Sequence, residues 1–300
     1  MASKYKSLAA LGLSTTLLGG LVACGNEVET TPAPTETAAV EDTDTAATQT
    51  PDAETDTSSY AMSGGEGEGE GGEGEGGEGE GGEGGVDLAA AAQDPAVYRS
   101  ALAMTEAHIR AGIDALDAGE RRAAGEMFAH PVSEILLDFE PVLVQQGVEP
   151  FAQKLSDASA AVFAEESAQD LRARAEDIID TLRAAAEKAP EGSDSEAVVE
   201  GKVIADQIDR ATAQYDSASR TDAYEPYLDG YGFYKTANAL LEDHRADIEA
   251  DAPEFVEQAD AVLAILAEAY PTADRPDTLD ADQSVMAAGN SELQLIVSGL

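Results

Sequence analysis

From about residue 94 to the C terminus, apolar residues recur every three or four positions, with no run of alternating β-branched residues. That period places them along one side of an α-helix. Asp94 and Pro95 open the first helix, with aspartate as N-cap and proline at the first helical position, where its missing N–H costs nothing. Tyr98, Leu102, Thr105, Ile109, Ile113 and Leu116 make one stripe on it. Ala101, Met104, His108, Ala111, Gly112 and Ala115 make a second. The helix is therefore expected to be packed on two sides, with its polar groups confined to Glu106, Arg110, Asp114 and Asp117. The small residues around His108 let a neighbour come close. A turn at Asp117, Ala118, Gly119 and Glu120 leads into a second helix over residues 120–129, with Ala124, Met127 and Phe128 inward. Pro131 biases the residue before it away from helical geometry, so His130 is expected at a break. A new helix then follows through Ile135, Leu136, Phe139 and Leu143 to Gly147, bent at Pro141.

Pro150 opens a helix bearing Phe151, Leu155 and Val162, and residues 168–189 carry Leu171, Ile178, Ile179 and Leu182. Ser193 with Glu196 reads as a capping box for the helix of Val199, Val203, Ile204 and Ile208. Tyr224, Tyr227, Tyr231 and Tyr234 form an aromatic stripe with Phe233 alongside, interrupted by Pro226, Gly230 and Gly232. Asp251 with Glu254, and Asp280 with Gln283, cap the last two helices. The sum is an all-α fold, an antiparallel bundle of about eight or nine helices over residues 86–300, in one bundle or two. Gly112, Ala124 and Phe128 fall at the spacing of a tetratricopeptide unit, but the pattern has no second copy, so no repeat array is expected.

The first 85 residues change the picture. Lys4 and Lys6 precede an apolar run over residues 8–23 that ends in Leu21, Val22, Ala23 and Cys24, the chain's one cysteine. This resembles a bacterial lipoprotein signal peptide over residues 1–23, with Cys24 at the position that is lipidated. The resemblance implies acyl chains such as palmitate on Cys24 and a membrane-anchored protein of the bacterial cell envelope. Gly25, standing where an aspartate would favour inner-membrane retention, favours the outer membrane. Residues 25–85 contain 17 acidic residues and no basic one, and end in Gly-Glu repeats. Chain entropy and like-charge repulsion both oppose folding there, so residues 24–85 read as a disordered tether.

Over the whole chain, 60 acidic residues against 17 basic ones give a net charge of −43. Such a surface repels phosphates, which excludes a nucleic-acid partner and leaves cations or a basic envelope protein as the natural ligands. There is no Gly-x-Ser-x-Gly elbow, phosphate loop or zincin motif, so no enzyme is expected.

The candidate chemistry lies in the chain's three histidines, His108, His130 and His244. His108 and His130 flank one helical hairpin, and Glu134 follows His130 by one turn. Imidazole with carboxylate suits Fe, Zn, Cu or Mn, and Met104 would move the preference toward copper. The bland alternative is a hydrogen-bonded His108, a His130 at a helix start and a solvated His244. The tyrosine stripe is a candidate ligand groove or, more simply, core. The plan of lipid anchor, acidic tether and helical domain with His and Glu is similar in architecture to imelysin-like periplasmic iron-associated lipoproteins. That family's Gly-x-His-x-x-Glu signature differs in spacing from His130 and Glu134, so no ligand is transferred. The expectation is a lipoprotein whose bundle binds a metal ion or metal complex, accessory to uptake or homeostasis. The alternative is a non-enzymatic interaction module that docks a basic envelope partner through its acidic surface.

Overall fold

The computed structural model describes residues 85–300; Cys24, the lipobox and the tether before residue 85 lie outside the described residues. A one-turn helix α1 (Leu88–Ala91) precedes the long α2 (Pro95–Ala118). Asp94 caps α2 as expected, its Oδ1 accepting from the Ala96 and Val97 N–H groups at 2.8 and 3.3 Å. Gly119, at φ 94°, ends it in the left-handed conformation that glycine adopts without a Cβ penalty. There follow α3 (Arg121–Pro131), a π-helical turn (Val132–Leu136) and α4 (Leu137–Gln145). The remainder is α5 (Ala152–Phe163), α6 (Ala168–Ala186), α7 (Glu196–Ser219), α8 (Glu225–Asp251), α9 (Pro253–Ala269) and α10 (Gln283–Val297). The architecture is an all-α helical bundle, and among the described residues there is no strand and no helix long and apolar enough to cross a membrane.

One continuous core runs from Ala91 to Leu293, so the helices form one packed body. Its centre is α2, which touches α1, α3, α6, α7 and α8. Both expected stripes of α2 face protein: Tyr98, Leu102 and Ile109 are buried, and so are Met104, His108 and Ala111. Two glycines let neighbours approach it. A Cβ on Gly232 of α8 would lie 2.4 Å from the Ala107 carbonyl oxygen, and one on Gly112 would lie 3.2 Å from the Ala124 carbonyl oxygen of α3. The small residues around His108 thus bring α3 and α8 against α2 on either side of the imidazole.

Several local expectations change. His130 is not at a break: Pro131 lies inside α3, and His130 sits in that helix's last turn. The π turn follows at once, with the Leu137 N–H reaching back to the Val132 carbonyl. A π turn holds one residue more than an α turn and so accommodates a distortion without ending the helix. Glu106, one of the polar groups of α2, is buried, and Arg110 and Arg183 reach it with cationic groups. The cap of α7 is Ser195 rather than Ser193, with its hydroxyl accepting from the Val198 N–H at 3.3 Å. The cap of α10 is Asp282 rather than Asp280. α9 starts at Pro253 after Ala252, without a side-chain cap, since Pro253 removes an N–H that would need one.

Candidate metal centre

Three helical segments meet around His108. α2 supplies His108 itself, the α3–π segment supplies His130 and Glu134, and the first turns of α8 supply Glu225 and Asp229. His108 is only 6% exposed, and its Nδ1 lies 2.8 Å from the Met104 carbonyl oxygen. A carbonyl only accepts, so Nδ1 carries the proton and Nε2 presents its lone pair. Among the described residues Nε2 has no hydrogen-bond partner. It lies 3.7 Å from Glu134 Oε2 and 3.8 Å from Asp229 Oδ1. His130 Nδ1 lies 3.9 Å from Glu134 Oε1 and 3.6 Å from Glu225 Oε1.

These separations are long for hydrogen bonds, whose N···O distances centre near about 2.9 Å. They are close to the edge of a coordination polyhedron: two ligands about 2.0–2.2 Å from one Zn²⁺ stand about 3.3–3.6 Å apart when tetrahedral. One ligand atom each from His108, His130 and Glu134 lie mutually within 4.8 Å. The cluster opens on a cavity of about 420 Å³ lined by Met104, Phe233, Arg210 and Gln214 among others.

The electrostatics favour a cation. Burial, the largest influence on His108, pushes its pKa down and keeps it in the neutral form that binds metals. Burial also pushes Asp229 up to about 7, assisted by the negative charges of Glu225 and Glu134 and opposed by His130. Asp229 Oδ1 is fully shielded and has no hydrogen-bond partner among the described residues. A buried carboxylate oxygen left in this way costs free energy unless a proton or a cation reaches it. The Met104 carbonyl behind His108 fixes the orientation and tautomer of the imidazole, as such a carbonyl does for histidines that bind metals.

His108, His130 and Glu134 therefore come together, and His244 does not join them. His244 follows Asp229 by 15 residues in the same helix, which carries it about 22 Å along the axis. There its Nε2 stands 3.7 Å from Glu200 Oε2. That second cluster, on another face of α2, lines a cavity of about 290 Å³ with Arg99, Glu106 and Arg183. Its buried acids, Glu106 and Glu200, are matched to cations. Arg99 bonds Glu196 and lies 2.5 Å from Glu200, while Glu106 takes Arg110 at 2.6 Å and Arg183 at 3.2 Å.

The tyrosine stripe is core. Tyr227 donates to the Thr272 carbonyl at 2.7 Å, Tyr224 to the Ala273 carbonyl at 2.8 Å and Tyr231 to Asp114 at 2.7 Å. Tyr270, which donates to the Ala211 carbonyl at 2.8 Å, packs with its ring centroid 5.2 Å from that of Tyr227. Sequence reasoning misses Asp229 and Glu225, because carboxylates are too numerous in this chain to stand out. A usable signal is their spacing of four residues, with Phe233 four further on, beside the paired glycines Gly230 and Gly232 that mark a close helix approach. No protein-family model, curated protein or solved structure matches the chain.

Proposed function

We propose that the helical domain binds a divalent transition-metal ion, or a metal complex, through His108, His130 and Glu134. We read the chain as a lipid-anchored protein of a bacterial envelope, attached through Cys24 and accessory to metal uptake or homeostasis. The observation that supports the metal reading most is the state of His108: nine-tenths buried, neutral, fixed through Nδ1, and with Nε2 bare between two carboxylate oxygens at 3.7 and 3.8 Å. Imidazole with carboxylate suits Zn, Fe or Cu, and Met104 beside the cavity adds a soft donor for Cu. The anchor rests on the resemblance of Leu21, Val22, Ala23 and Cys24 to a lipobox.

Metal content of the full chain after dialysis against Zn²⁺, Co²⁺, Fe²⁺ or Cu²⁺ tests the first part. Retention by wild type that is lost in His108→Ala combined with His130→Ala supports the reading. Equal retention by both proteins refutes it and leaves the acidic surface, docked on a basic envelope partner, as the better account. Incorporation of a fatty-acid probe by wild type and not by Cys24→Ser tests the anchor.

A further inference from the structure

The cluster holds more ligands than one ion needs, and they fall into two matched halves. Each histidine has its own carboxylate from α8: Asp229 Oδ1 is 3.8 Å from His108 Nε2, and Glu225 Oε1 is 3.6 Å from His130 Nδ1. Glu134 stands between them and turns a different oxygen to each, Oε2 to His108 at 3.7 Å and Oε1 to His130 at 3.9 Å. The two imidazole rings are 6.3 Å apart, centroid to centroid. A carboxylate that offers its two oxygens to two nitrogen ligands in this way has the geometry of a bridge. The i, i+4 pairing of Glu225 with Asp229 on α8 repeats the i, i+4 pairing of His130 with Glu134 across the cavity.

We propose that the site is dinuclear, holding two divalent cations bridged by Glu134, one on His108 and Asp229 and the other on His130 and Glu225. This rests on the metal reading above and extends it. With one ion on His108, His130 and Glu134, the buried oxygen of Asp229 stays unpartnered and the three carboxylates outweigh the ion's charge. Two divalent ions give each nitrogen and each carboxylate a partner. Their excess of one positive charge, together with Arg210 lining the cavity of about 420 Å³, leaves room for a small anion or hydroxide between them. Bridged pairs of this kind hold their ions about 3.5–4 Å apart.

The test is a count of Zn²⁺ per full chain by elemental analysis. The count of the His108→Ala, His130→Ala double variant is subtracted, which removes ions held loosely by the acidic surface. Two site-dependent Zn²⁺ in wild type, falling to one in Glu225→Gln and to one in Asp229→Asn, is the expected result. Glu225 is 61% exposed, so its variant keeps the fold even if the histidine variant does not, and the loss of one ion in Glu225→Gln against wild type then carries the test. One site-dependent Zn²⁺ in wild type, unchanged in Glu225→Gln and in Asp229→Asn, overturns the dinuclear site while the metal reading stands. None at all overturns both.

Discussion

Glu106 and His108 are two residues apart on α2, both buried, and they illustrate opposite ways of burying a polar group. Around Glu106, the buried acids have found cations: Glu106 has Arg110 at 2.6 Å and Arg183 at 3.2 Å, and nearby Glu200 has Arg99 at 2.5 Å. Around His108, three carboxylates face two imidazoles at 3.6–3.9 Å, and the most shielded carboxylate oxygen has no partner. The first cluster is complete in itself and serves the fold. In the second, Glu134, Glu225 and Asp229 have no arginine or lysine partner among the described residues and face only imidazole nitrogens. Acidity alone does not distinguish the two; arginines pair with the acids of the first, whereas Arg210, which lines the second cavity, is paired with Asp206 instead.

Neutralising a buried charge should therefore have opposite signs in the two clusters. Arg99→Met leaves Glu200, whose side chain is 8% exposed, without its cation, and should cost about 3–5 kcal/mol in urea denaturation, as breaking a buried pair from one side does. An unchanged midpoint would mean that this network is not structural. Gly232→Ala presses a methyl toward the Ala107 carbonyl, at 2.4 Å in the present packing. A loss of about 2–3 kcal/mol is expected, with weaker metal retention because α8 carries Asp229.

Asp229→Asn should stabilise the metal-free protein at pH 8, by on the order of 2 kcal/mol. The sign follows from proton counting. The native state holds the Asp229 proton up to about pH 7, while the unfolded chain releases it near 3.8. Between those values the native state binds more protons, so this contribution to metal-free stability declines as pH rises and is gone above about 7. The variant should lack that decline, as unfolding midpoints from pH 4 to 8 will show. A destabilised variant at pH 8 would mean that Asp229 already has a partner. The smallest effect belongs to the exposed Arg122–Glu126 pair, 86% and 41% exposed: Arg122→Ala should change stability by no more than about 0.5 kcal/mol.

The helical architecture was legible because apolar period and caps agree with the packed core: Asp94, Pro95 and Gly119 bound α2 where the pattern puts them. Boundaries shifted where two cap candidates stood close together, Ser193 against Ser195 and Asp280 against Asp282, since only tertiary position decides between them. The local effect of Pro131 predicts a break at His130, whereas the π turn after it keeps the helix running and holds His130 and Glu134 on one side. The convergence of His108 with His130 was readable from their flanking a hairpin. Glu225 and Asp229 are not readable in this way, because their place beside the histidines depends on α8 crossing α2 at Gly232, a contact between residues more than a hundred positions apart. Residue type alone groups His244 with the site, and the length of α8 separates it.

The most direct test of the central claim is the thermal midpoint of the metal-free full chain with and without Zn²⁺, compared between wild type and the His108→Ala, His130→Ala double variant. At about a hundredfold excess over the dissociation constant, binding should stabilise wild type by about 2.7 kcal/mol. For a domain of this size that is a rise of about 5–11 °C, absent from the variant. A wild type that does not respond, or a variant that responds equally, would contradict the account.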